Sequence, residues 1–193
     1  EIRARLFLHT PIDLSGLMER VERWQKMQVT PNDLLAYPDA ASDAIVARLP
    51  GPFDMVVSAC VLTQMQLAML GALSASHQLF EATRQLLNVM HLRTLAKLLL
   101  PGGSAVIAND VTSNNLVPTL PESADPRAAL ADALRSGRCF YATHPDLLRW
   151  TSHEDPVLQK LAQVSSPLDV WLWQNGAART FLVYAMELRR IAA

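Results

Sequence analysis

Cysteine is scarce in this chain: Cys60 and Cys139 are the only two among 193 residues. Two thiols fit a reducing compartment better than a disulfide scaffold, so a cytoplasmic location is expected. No apolar run reaches the roughly 18 residues that span a bilayer, and no signal peptide is visible, so no membrane partner is expected. Neither sign of charge dominates, with 17 basic and 18 acidic residues. No basic block or stripe occurs, which disfavours nucleic acid as a partner. The histidines are scattered, and no Cys or His pair has ligand spacing, so no metal site is expected.

What is present is a globular composition. Half of the chain is hydrophobic and 18% is charged, which suits one domain, residues 1–193, with a substantial core. The organising stretch is Phe53-Asp54-Met55-Val56-Val57-Ser58-Ala59-Cys60. It is Val-rich, apolar on both faces and bracketed by Pro50-Gly51-Pro52. That pattern predicts a central strand of a parallel sheet covered by helices on both sides. Ligands of such sheets bind outside the carboxyl ends of the strands, which points to Ser58, Ala59 and Cys60.

In order along the chain, residues 5–10 read as a short strand ended by Pro11. Leu14, Leu17, Met18, Val21 and Trp24 then recur at helical spacing. Residues 28–30 form a weak strand, 31–33 a turn and 42–49 a helix. After the organising strand, 63–99 read as one or two helices, with the break between Gly71 and Ser76. Pro101-Gly102-Gly103 signals a turn, and 104–108 a strand ending in Asn109-Asp110. This alternation argues for right-handed parallel crossovers.

Residues 111–167 differ. They hold six of the twelve prolines, and about fifty residues exceed what one crossover needs. A cap is expected there, with helices at 128–134 and 156–164. The chain closes with two β-prone runs, 169–174 and 178–186, around Asn175-Gly176. An Asn-Gly pair in that setting predicts a type I′ hairpin. Trp171 and Trp173 alternate on the first run and read as core. The expected fold is therefore α/β: a mostly parallel, doubly wound sheet that ends in an antiparallel hairpin, with a helical cap insertion before it.

This arrangement resembles the seven-stranded, Rossmann-like class I S-adenosylmethionine-dependent methyltransferases. Phe53 to Ser58 looks like the family's fourth strand. Leu95 to Ile107, with its Pro-Gly-Gly, is similar to the following helix, turn and fifth strand. The hairpin at 169–186 matches the sixth and seventh strands. Ile12-Asp13-Leu14-Ser15 resembles the acidic second-strand end that binds the cofactor ribose, and Asn32-Asp33-Leu34 the third-strand end that contacts adenine. One part of the family pattern has no counterpart: Glu1 to Thr10 contains no glycine, so the Gly-x-Gly loop is absent. Two readings follow. Either that segment lies upstream of Glu1 and the domain is N-terminally incomplete, or the cofactor is not bound in the usual way.

The resemblance implies methyl transfer from S-adenosylmethionine to a small-molecule acceptor. The cofactor would meet Asp13, Asp33, Leu34, Ser58, Ala59 and Cys60. Tyr141, His144 and Trp150 would line the acceptor pocket, with His144, or else His153, as a general base. The competing readings are ordinary ones: Asp13 as a helix N-cap, Asp33 as a turn residue, Cys60 as a small buried hydrophobe, His144 as a polar cap residue. Ala59 precedes Cys60 where cytosine methyltransferases with a thiol nucleophile have Pro, and the adenine-type Pro-Pro-aromatic motif is missing. A non-catalytic methyltransferase-like binding domain is the alternative function. A Rossmann oxidoreductase fits less well, because Gly-x-Gly-x-x-Gly is also missing.

Overall fold

The chain's structure is a computed structural model. It describes residues 30–192 together with His9, residues 11–17 and Arg20. The strand expected at 5–10, the helix at 14–24 and the strand at 28–30 lie largely outside the described residues.

Helix α1 spans Pro31–Val46. Thr30 and Asp33 form a capping box: the Thr30 hydroxyl accepts from the Asp33 N–H, and the Asp33 carboxylate accepts from the Thr30 N–H at 2.9 Å. Pro31 needs no donor in the first turn. The expected turn at 31–33 is therefore a helix start, and the helix expected at 42–49 is the end of this longer one. Strand β1 (Phe53–Ala59) follows a cis Gly51–Pro52 bond. Helices α2 (Val61–Ala72) and α3 (Phe80–Leu98) then carry the chain across to β2 (Leu99–Ser113). The break after Ala72 falls close to its expected place. α1 packs along α3, and the pairs Arg93–Asp39, Lys97–Asp39 and Lys97–Asp43, at 2.7–3.2 Å, tie the two together.

Pro101-Gly102-Gly103 is not a free turn. It bulges out within β2, between the paired positions Phe53↔Leu99 and Met55↔Ser104. Gly102 takes φ +79°, and a Cβ on Gly103 would lie 2.9 Å from the Asp54 carbonyl oxygen, so neither position suits a side chain.

The long segment after β2 folds as helices α4 (Pro126–Arg135), α5 (Pro145–Glu154) and α6 (Leu158–Leu161), with 3₁₀ turns at Leu120–Glu122 and Tyr141–Thr143. The region expected as a helix at 156–164 holds only α6 and then the short strand β3 (Ala162–Val164). Strands β4 (Asp169–Asn175) and β5 (Arg179–Arg190) form the terminal hairpin. Asn175 pairs with Arg179, so the connection is the three residues 176–178, with Gly176 at φ +68°, and not a two-residue Asn-Gly turn.

The sheet runs β1-β2-β5-β3, and β4 lies beside β3 on the same edge of β5. Among the described residues it has five strands and is mixed, which corrects the expectation of a mostly parallel sheet. Only β1 and β2 are parallel; β5 is antiparallel to β2, β3 and β4. The hairpin is the cause, since it returns the chain in the opposite direction and inserts β5 beside β2.

Coverage is also one-sided. Leu182, Tyr184, Met186 and Leu188 of β5, with Ala105 and Ile107 of β2, join the buried clusters under the helices. Met55 and Val57 alternate to the other face and are each 63% exposed. The described residues therefore do not form a doubly wound sheet, and β1 is an edge strand among them. The inserted helices belong to the core. Leu130 and Leu148 sit in one buried cluster and Leu158 in the other. No described helix is long and apolar enough to cross a membrane.

Candidate functional site

β1 and β2 run parallel, so their carboxyl ends lie side by side. β1 gives way to α2 through Cys60, which takes the left-handed conformation (φ +54°) and donates its N–H to the Ala108 carbonyl at 2.7 Å. β2 continues past that point to Asp110 and Ser113. The 3₁₀ turn at 141–143 is fixed against this end from several sides. The Phe140 N–H donates to the Val111 carbonyl at 2.7 Å and the Thr143 hydroxyl to the Asp110 carbonyl at 2.8 Å. The Tyr184 hydroxyl reaches the Thr143 carbonyl at 2.5 Å, and the Asn88 amide reaches the Ala142 carbonyl at 3.0 Å.

These constraints leave a cavity of about 730 Å³ between α2, the start of α3, the end of β2, the 3₁₀ turn and the terminal hairpin. That is a size suited to a small organic ligand. Its apolar walls include Leu67, Leu70, Phe80, Trp173 and Phe181. The Trp173 and Phe181 rings lie 5.8 Å apart across the hairpin. Arg84 is held by Glu81 at 2.6 Å and lies over the Tyr141 ring, 4.4 Å from its centroid. Burial first, and then the Asp110 carboxylate beside it, raises the Cys60 thiol above its ordinary pKa. A thiol shifted that way is not an activated nucleophile.

The expected site residues are dispersed. Cys60 and Tyr141 line the cavity. Ala59 ends β1 just before it. Ser58 is buried on the helix-covered face, where its hydroxyl meets the His91 Nε2 at 2.9 Å. Asp13 accepts from the N–H and hydroxyl of Ser15 at 2.9 and 2.6 Å, in a turn that Tyr37 holds by donating to the Ser15 carbonyl. Asp33 belongs to the first turn of α1 rather than to a strand end. Hydrogen bonds from the Thr30 side chain and backbone lower its pKa. Leu34 and the exposed Trp150 line a second cavity of about 460 Å³ between α1, α3 and α5. His144 caps α5, its Nδ1 accepting from the Asp146 N–H at 3.1 Å, and His153 is exposed. Among the described residues no group of three His, Cys, Asp or Glu side chains is arranged to hold a metal.

Asp110, Thr63, Gln66, Arg84 and Trp173 line the cavity without having been singled out from the sequence. Asp110 was within reach of the carboxyl-end rule, which applies to the strand ending in Asn109-Asp110 as much as to the organising strand. Trp173, read as core, is 44% exposed on the hairpin. Comparison with known families, curated proteins and solved structures gives no match: no family model, no curated protein and no solved structure matches the chain.

Proposed function

We propose that this protein is a methyltransferase that binds a small-molecule acceptor in the cavity at the carboxyl ends of β1 and β2. The observation that carries the reading is the block of sheet itself. The three segments likened to the family's fourth strand, fifth strand and terminal pair fold into adjacent strands, and the cavity opens where they end. When bound, S-adenosylmethionine would supply an electrophilic methyl group on a sulfonium. The chain's own part is to hold the acceptor, exclude water from it and align its lone pair. The Asp110 carboxylate, in the cavity wall, is placed to take a proton from an acceptor that must lose one.

The six residues named for the cofactor do not gather round one cavity. Only Cys60 lines the larger one, Leu34 lines the other, and Asp33 is engaged in its capping box. The described residues therefore do not make a cofactor cradle, and that observation favours the second reading, a methyltransferase-like domain that binds a small molecule without catalysis. Calorimetric titration with S-adenosylhomocysteine separates the two. Micromolar binding is the result expected of the enzyme. Absence of binding to the folded protein would refute it and leave the binding domain.

A further inference from the structure

Aromatic side chains are few in this chain: four Trp, three Tyr and five Phe. Five of these twelve, Phe80, Phe140, Tyr141, Trp173 and Phe181, line the cavity at the carboxyl ends of β1 and β2. The cavity draws on 22 of the 193 residues, so an even spread would put about one of the twelve there. Nor do the five simply fill the core. Tyr37 and Tyr184, which do, are fully buried, whereas none of the five is. They come from the start of α3, the 3₁₀ turn and both strands of the hairpin.

Much of the accessible wall is apolar. Leu67, Leu70, Leu116, Tyr141 and Trp173 are each 42–54% exposed, and a ligand lying on them removes that surface from water. Two of the rings are already held. Arg84, ion-paired with Glu81, lies over Tyr141, and Trp173 packs against Phe181. Rings fixed in this way give up little freedom when a ligand binds. A flat aromatic ligand gains offset and edge-to-face contacts with them that a saturated body of the same size does not. Charge offers no comparable selection. Glu81 meets the charge of Arg84. Asp110, hydrogen-bonded with the Cys60 thiol, and Arg179 are of opposite sign in the same wall. Arg179 is exposed, where an ion pair adds little. An ion brought against the apolar walls would lose hydration that they cannot replace.

We propose that the cavity recognises an uncharged aromatic compound, whose flat ring system lies among Phe80, Tyr141, Trp173 and Phe181 and covers Leu67 and Leu70. As the class of a methyl acceptor it rests on the function proposed above; as a statement about binding it rests on the cavity alone.

The test is calorimetric titration of the full chain with 2-naphthol and with decahydro-2-naphthol, which has the same carbon skeleton without the aromatic rings. Naphthol should bind about tenfold tighter, the size expected of one or two aromatic contacts. Two charged probes on the same rings, 2-naphthylmethylamine and 2-naphthoate, should bind no tighter than naphthol. Trp173→Leu keeps apolar bulk and removes a ring. It should weaken naphthol severalfold, leave the saturated alcohol nearly unchanged and so narrow the preference. Tyr141→Leu should act in the same direction. Both side chains are exposed, so neither change threatens the fold. The proposal is overturned if the saturated alcohol binds as tightly as naphthol, if either charged probe binds tighter, if no probe binds at millimolar concentration, or if neither substitution narrows the preference. None of these arms contains S-adenosylhomocysteine. An aromatic preference without S-adenosylhomocysteine binding would remove the methyltransferase reading and leave this one standing; the converse would remove this one alone.

Discussion

His91 offers the sharpest test of the folded structure. The ring lies on α3 within the core, 5% exposed, with its Nε2 2.9 Å from the Ser58 hydroxyl. Among the described residues no carboxylate compensates its charge, and burial pushes its pKa down from 6.5 to about 4. The folded protein therefore holds His91 neutral where the unfolded chain protonates it. Between about pH 6.5 and pH 4 the unfolded state binds more protons, so stability rises with pH across this window and falls on acidification. The full difference corresponds to about 3 kcal/mol, and about 2 kcal/mol of it is lost between pH 7 and pH 4.5. Replacing His91 with Gln keeps a hydrogen-bonding group for Ser58 and removes the titration. Urea unfolding of both proteins at pH 7 and pH 4.5 gives the comparison, and the carboxylates that titrate in both cancel in the difference. The native protein should lose about 2 kcal/mol more than His91→Gln on acidification. An equal loss in the two, with unchanged denaturant slopes, would refute the argument. So would a His91 proton resonance that titrates near pH 6.5 in the folded protein.

Other perturbations follow from the packing. Arg93 and Asp155 are both largely buried and make a two-point contact at 3.1 and 2.5 Å. Asp155 also caps α6 through the Leu158 N–H at 2.8 Å. Asp155→Ala should cost about 3 kcal/mol or more in urea unfolding, because it leaves a buried guanidinium without its closest partner. Gly103→Ala should cost about 1–3 kcal/mol, since its methyl group would meet three backbone carbonyls of β1 and β2 within 3.2 Å; an unchanged thermal midpoint would contradict that close approach. Asp33→Ala should lower the thermal midpoint through the lost capping box. If S-adenosylhomocysteine binds and its affinity is untouched by that substitution, Asp33 serves the helix and not the cofactor.

Much of the fold was legible in local patterns. The Pro/Gly bracket and Val-rich run located β1, the apolar stripe located α2 and α3, and the paired β-prone runs located the hairpin. Signals that depend on a few neighbouring residues survive folding because their causes are local: a capping box, a fixed proline φ, a strand period of two. Thr30-Pro31-Asn32-Asp33 was such a signal and was read as a turn, although Thr followed three residues later by Asp is also the mark of a helix start. The Trp171–Trp173 alternation gave a strand but not which of its faces would be buried.

What the sequence by itself determined is the set of elements and most of their order. Which strands are neighbours, and in which direction, only the tertiary structure decided. β5 pairs with β2 across more than sixty residues of intervening chain, and no local pattern encodes a pairing of that separation. The same holds for the cavity. Thr63 and Gln66 on α2, Asp110 on β2 and Trp173 on the hairpin come from three distant places in the chain, and each is unremarkable in its own segment. They acquire a common chemistry only because the parallel β1–β2 pair sets two strand ends side by side and the hairpin and the 3₁₀ turn close over them.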